Sequence, residues 1–254
     1  MKRYRVIPVL LLRNGGLCKT VKFKDPKYVG DPINAVKIFN EKEVDELVFL
    51  DIESMVMNRE PDCKKLRDIA SECFMPLCYG GGIRNLKQIE KILKIGVEKV
   101  SVNSALVEQP ELVRQAVTTF GSSTIVGSID YRRNLLGKSI VHIRSGSLNT
   151  GLSVEESVKR AEDLGVGEIL LNSIDRDGTM TGYDLDVIKA VSKSLSVPLI
   201  ACGGAGSLRD FYEATHDAGA SAVAAGAFFV FTGRWRAVLI TYPSQEELET
   251  GVFR

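Results

Sequence analysis

A chain of 254 residues with 44% hydrophobic content can bury one large core or two small ones. Its 33 Lys and Arg against 32 Asp and Glu leave a net charge of +1, so charge argues for neither nucleic acid nor an anionic membrane as a partner. Five cysteines without CxxC spacing read as reduced thiols in a cytoplasmic protein. His142 and His216 stand apart from Cys or carboxylate clusters, so neither a metal nor a cofactor is expected.

The opening Met1-Lys2-Arg3-Tyr4-Arg5 leads into seven apolar residues, Val6 to Leu12. That run is too short to span a bilayer and lacks a cleavage signature, so it reads as a first buried strand, 5–11. A long connection, 13–31, carries Asn14-Gly15-Gly16 and then Lys19, Lys22, Lys24 and Lys27. A helical spacing follows at 32–40 and a strand at 46–52. Next come a strand at 76–80, a helix at 86–93, a strand at 98–103 and a helix at 110–117. The fifth strand, 124–130, precedes a second long connection, 131–151, in which Ser139-Ile140-Val141-His142-Ile143 alternates as in a small hairpin. Helix 154–163, strand 167–173, helix 185–194, strand 197–202, helix 208–218 and strand 221–226 complete the order. Strands of Val, Ile and Leu without polar alternation are covered on both faces. Alternation of such strands with helices gives a parallel sheet. Eight units in about 250 residues predict a single (β/α)8 (TIM) barrel spanning 1–254. An open Rossmann sheet would carry GxGxxG after its first strand, and residues 11–16 do not.

The chain also repeats itself about 120 residues apart. Glu46-Leu47-Val48-Phe49-Leu50-Asp51-Ile52 returns as Glu168-Ile169-Leu170-Leu171-Asn172-Ser173-Ile174. Cys78-Tyr79-Gly80-Gly81-Gly82-Ile83 returns as Ala201-Cys202-Gly203-Gly204-Ala205-Gly206. The repeat predicts two half-barrels, approximately 1–120 and 121–254. Aligning them puts Leu11 in the first half where Asp130 stands in the second.

Four strand ends carry small residues. Gly80-Gly81-Gly82 ends strand three, Asn103-Ser104 strand four, Gly203-Gly204-Ala205-Gly206 strand seven and Ala225-Gly226 strand eight. Glycines at strand–helix junctions let backbone N–H groups approach an anion, and barrels often bind phosphate after strands seven and eight. The same pattern after strands three and four predicts a ligand with a phosphate at each end. Lys19 could cover one phosphate. Asp130 and Asp51 end strands five and two, where carboxylates suit proton transfer. Asp175 and Asp177 follow strand six and could equally be loop acids or helix caps. At the opposite ends Arg5, Glu46, Lys99 and Glu168 alternate in sign. Composition alone would make them an ion network or plain exposed charges.

These residues resemble the cyclase subunit of imidazole glycerol phosphate synthase over nearly the whole chain. The resemblance is carried by Asp45 to Ile52, Gly80-Gly81-Gly82-Ile83, Lys99-Val100-Ser101-Val102-Asn103, Glu168 to Thr179, Gly182-Tyr183-Asp184 and Gly203-Gly204-Ala205-Gly206. It implies a heterodimer with a glutaminase (amidotransferase) subunit, whose ammonia enters at the bottom of the barrel and meets a bisphosphorylated ribonucleotide at the top. Arg5, Glu46, Lys99 and Glu168 match the family's ammonia gate. Gly82, Asn103, Gly178, Gly204 and Ala225 match its phosphate-binding positions, beside Gly81, Ser104, Asp177, Gly203 and Gly226. Lys19 matches its loop lysine, and Asp130 the second of its two catalytic aspartates. The first falls on Leu11, which transfers no proton. Asp51, of the same mouth, sits on a different strand. Ser104, Cys202 and Gly226 are smaller departures. Lys22-Phe23-Lys24-Asp25-Pro26-Lys27-Tyr28 resembles a subgroup associated with bacterial surface-polysaccharide pathways, where the ammonia serves a separate sugar-modifying enzyme. Three readings follow: a glutaminase-coupled barrel without cyclase chemistry, an active cyclase in which another group replaces the missing acid, and a phosphate-ligand-binding scaffold.

Overall fold

The computed structural model describes residues 3–254. Eight strands, Arg5–Arg13, Leu47–Asp51, Leu77–Gly80, Lys99–Val102, Ile125–Arg133, Glu168–Ser173, Leu199–Cys202 and Ala222–Ala225, pair in parallel in sequence order. The ring closes where Arg5 to Pro8 pair with Ala222 to Ala225, so the sheet is a (β/α)8 barrel of the α/β class, as the alternation predicts. Every predicted barrel strand is present, with ends shifted by up to three residues.

Helices cover the outside. Pro32–Glu41 starts at Asp31, whose carboxylate accepts from the backbone N–H groups of Ile33 and Asn34, with Pro32 in the first turn. Leu86–Lys94, Pro110–Phe120, Val154–Asp163 and Leu185–Ser192 fall where the spacing places them. Val154–Asp163 begins with a capping box, Ser153 with Glu156, that stops the preceding hairpin. The predicted helix 208–218 is corrected to an α-helix, Leu208–Tyr212, running into a π-helical segment, Glu213–Asp217. Helix Cys63–Glu72 is not predicted, since it buries only Leu66 and Ile69.

The two long connections differ from simple loops. The first folds as an antiparallel extension of strand one, Gly16–Val21 paired with Lys24–Gly30. The second pairs Ser139–Ile143 with the end of strand five and with Leu148–Ser153, which bears out the predicted hairpin and enlarges it. A third hairpin, Phe231–Thr232 with Ala237–Val238, follows strand eight.

Two cores result. The larger lies between strands and helices. The smaller fills the barrel with Ile7, Val9, Val48, Val126, Leu170 and Ile200 among others. Period-two alternation sets what flanks it. Arg5, Ile7, Val9 and Leu11 point inward from strand one, so one strand supplies a charged lower end, an apolar middle and an upper mouth.

Candidate functional site

At the lower end the four charges of alternating sign form a closed ring. Arg5 reaches Glu46 at 2.5 Å and Glu168 at 3.2 Å. Lys99 donates to Glu46 at 3.0 Å and to Glu168 at 3.1 Å. Glu46 is buried, so its charge depends on both cations. Burial opposes the charge on Arg5, but Glu168 and Glu46 outweigh it and hold its pKa above the ordinary value. Above the ring the barrel is apolar up to Ser101 and Ser128, both buried.

At the upper end a cavity of ≈ 370 Å³ opens among the strand ends. Asp130 stands in its wall. Its carboxylate accepts from Asn172 Nδ2 at 3.1 Å and from Asn103 Nδ2 at 3.2 Å. Burial pushes its pKa up to about 7; the bond from Asn172 works against that rise and the nearby Asp177 carboxylate adds to it. A carboxyl that titrates near neutrality suits proton transfer. Leu11 lines the same cavity and is 9% exposed. Asp51 also lines it, but its carboxylate is tied down. It accepts from the backbone N–H groups of Glu53 and Ser54 at 2.9 Å each and from the Ser54 hydroxyl. Asp51 thus caps its own loop.

The first hairpin lies across the mouth. Lys19, almost fully buried, donates to both oxygens of Asp177 at 2.8 and 3.0 Å. Thr20 adds a bond to the same carboxylate at 3.2 Å, and Lys22 N–H donates to the Asp177 carbonyl at 2.9 Å. The stem of Lys19 passes over Gly226, where a Cβ would come within 3.0 Å of Lys19 Cε. From the other side Arg236 donates to the Gly178 carbonyl at 2.7 Å. The Asp177–Gly178 loop is therefore held between two hairpins.

The paired glycine turns adopt conformations that favour glycine, with φ of 123° and 70° at Gly81 and Gly82 and of 86° and 122° at Gly203 and Gly204. A Cβ at Gly81 would meet Asp51 Cβ at 2.8 Å, and one at Gly203 would meet the Ser173 carbonyl at 2.7 Å. Close approach to the neighbouring strand end thus requires glycine in both halves.

Of the residues singled out in the sequence, Lys19, Asp51, Gly81, Gly82, Asn103, Ser104, Asp130, Asp177 and Gly226 line the cavity. Gly178, Gly203, Gly204 and Ala225 lie outside its lining. Gly178 belongs to the Asp175–Gly182 loop, which packs on Gly204, with Gly182 N–H on the Gly204 carbonyl at 2.9 Å. Arg5, Glu46, Lys99 and Glu168 come together at the far end. Sequence reasoning misses Asn172, although the repeat aligns it with Leu50 and so marks it as the partner of strand five's last inward residue. It also misses Glu53, which joins Arg13 and Arg59 at 3.0 Å each on the rim. Among the described residues no cluster of three or more His, Cys, Asp or Glu could hold a metal ion, and no helix is long and apolar enough to cross a membrane.

A closed parallel ring with its cavity at the carboxyl ends of the strands defines a (β/α)8 barrel whose site is built from strand-end residues and the loops after them. Residues 5–234 match the model of the histidine biosynthesis protein family, and the chain belongs to that family. It is 51% identical over 251 residues to a Pseudomonas aeruginosa protein provisionally named imidazole glycerol phosphate synthase subunit hisF2, covering 99% of this chain and 100% of that one. It is 47% identical over 250 residues to a Leptospira interrogans protein with a similarly provisional HisF name, covering 98% of each. Against the imidazole glycerol phosphate synthase subunit HisF of Streptomyces coelicolor it is 44% identical over 227 residues, 89% of this chain and 90% of that protein.

Proposed function

We propose that this protein is a glutaminase-coupled barrel that admits ammonia through its lower ring and passes it to the upper mouth, with little or no cyclase chemistry of its own. The observation that carries the reading is the contrast between the two ends. The lower ring of Arg5, Glu46, Lys99 and Glu168 is complete, whereas the mouth holds Asp130 with Leu11 in the place of a second acid. The apolar barrel interior supports passage of neutral ammonia and opposes that of ammonium, since an unpaired charge is costly there. Asp51 is a poor substitute for the missing acid because its oxygens already cap a loop.

On this reading the glutaminase docks at the lower end. The glycine-rich strand ends near Gly82 and Gly204, with Lys19 above Gly226, hold the phosphates of a doubly phosphorylated ligand. Loop one supports placement in the subgroup linked to surface-polysaccharide pathways, where a separate enzyme takes the ammonia. An active cyclase is the second reading. It draws on Asp130, whose carboxyl titrates near neutrality.

One experiment separates the two. The chain is added to its glutaminase, and glutamine hydrolysis is assayed apart from consumption of the ribulosyl nucleotide under saturating ammonium salt. Stimulated hydrolysis with nucleotide turnover 10²–10⁴-fold below an ordinary cyclase is expected, roughly the contribution of one acid–base group. Ordinary turnover would overturn the conduit reading.

A further inference from the structure

The repeat gives Leu11 a context beyond its own position. In the second half Asp130 pairs in register with Asn172, and the two are hydrogen-bonded. In the first half the equivalent register pair is Leu11 with Leu50. One polar pair at the mouth thus faces one apolar pair. The apolar side continues outward along the same cavity through Ile52 and Met55 after strand two and Phe23 of the first hairpin. Leu50 also leans over Gly80, where a Cβ would come within 2.9 Å of its Cδ2. Asp130, Asn172 and Asn103 stand opposite on strands four to six. The polar groups that line the cavity on the apolar side are already committed: Asp51 to Glu53 and Ser54, Glu53 to Arg13 and Arg59, and Lys19 to Asp177.

Hydroxyls of a polyhydroxylated chain that face Leu11, Leu50, Ile52 and Phe23 would be left without partners, because those side chains offer no donor or acceptor. Binding sites of this size usually combine apolar walls with a few placed polar groups. We infer that the mouth binds a phosphorylated compound whose body, where it meets strands one and two, is an aryl or alkyl group instead of a sugar chain. The phosphate rests on the function proposed above. The apolar body rests on the wall alone.

The test is calorimetric titration of the protein with phenyl phosphate, ribose 5-phosphate, inorganic phosphate and benzyl alcohol. Phenyl phosphate is expected to bind at least about tenfold more tightly than ribose 5-phosphate, as burial of part of an aryl ring against this wall implies. Leu11→Asp should bring that ratio close to one. Met55→Ser, on the loop outside the strands, should reduce it and serves if Leu11→Asp does not fold. Equal or tighter binding of ribose 5-phosphate to the unaltered protein would overturn the inference, as would no aryl binding at all. Benzyl alcohol binding without inorganic phosphate binding would keep the apolar site and remove the phosphate cradle. Glutaminase stimulation is measured separately, so loss of the conduit reading would leave this ratio standing.

Discussion

Asp130→Asn tests whether the mouth holds its acid at a cost to the fold. The Asp130 carboxyl has an ordinary pKa of 3.8 and is pushed up to about 7 by burial. At 1.36 kcal/mol per pKa unit that gap is worth at most about 4 kcal/mol, and the open side of the mouth reduces it to about 2 kcal/mol. Below pH 3.8 the group is protonated in the folded and unfolded chains alike. From there to about pH 7 the folded chain keeps a proton that the unfolded chain has lost, so stability falls as pH rises. Above that window the whole cost is in place. An amide at this position carries no charge to bury. It presents one acceptor to two donors, but Asn172 Oδ1 has no partner and can accept from the new N–H group once its amide turns. Urea unfolding at pH 4 and pH 8 should give Asp130→Asn a stability gain of about 2 kcal/mol at pH 8 and no more than about 0.5 kcal/mol at pH 4. An equal effect at both pH values, or a loss at pH 8, would refute the claim that the folded state strains against the Asp130 charge.

Glu46→Ala should cost about 1–3 kcal/mol in urea unfolding, because it removes the buried carboxylate that Arg5 and Lys99 share and leaves both cations on Glu168 alone. Asp177→Asn removes the counter-ion of buried Lys19 and should release the first hairpin, read as faster tryptic cleavage at Lys22 and Lys24 and a stability loss of about 3 kcal/mol. Gly204→Ala should cost more than about 1 kcal/mol, because φ is 122° there and a Cβ would press on the Gly182 backbone, while Gly121→Ala, with open space around it, should cost less in the same assay. Supplying ammonium salt to Leu11→Asp should raise nucleotide turnover over the unaltered chain if position 11 is the main lesion in cyclase chemistry.

The strands were legible because a barrel strand is covered on both faces, which leaves unbroken apolar runs such as Val6 to Leu12. Lys24–Gly30 was not, since six of its seven residues are not buried and no apolar alternation marks its pairing with Gly16–Val21. Helix Cys63–Glu72 hides for a similar reason, with only Leu66 and Ile69 buried. The lower ring was visible as alternating signs at strand starts, since those positions are fixed by strand order. The Lys19–Asp177 contact was not, because it joins residues 158 apart through two loops whose paths no local pattern sets. Asp51 was visible as a strand-end acid, but its bonds to Glu53 and Ser54 depend on a turn that the sequence does not announce.

Internal duplication makes the first half a control for the second. Both halves keep the glycine turn after their third strand, and in both a side chain there would collide with the end of the preceding strand. Backbone packing alone therefore suffices to require those glycines, and phosphate binding needs its own test. The inward residues at the strand tops differ between the halves. One half places Asp130 and Asn172 in register and the other places Leu11 and Leu50. Both pairs sit in one barrel of common geometry, which supports the proposal that the two sides of the mouth meet different parts of a ligand. A mouth built for two-acid chemistry would need acids on both sides of it. This one has a single carboxyl, poised near neutrality and facing an aliphatic wall, above a lower ring whose four charges are all paired. Delivery of a small neutral molecule from the ring to the mouth requires only the ring and the apolar interior, and both remain whole without an acid at position 11.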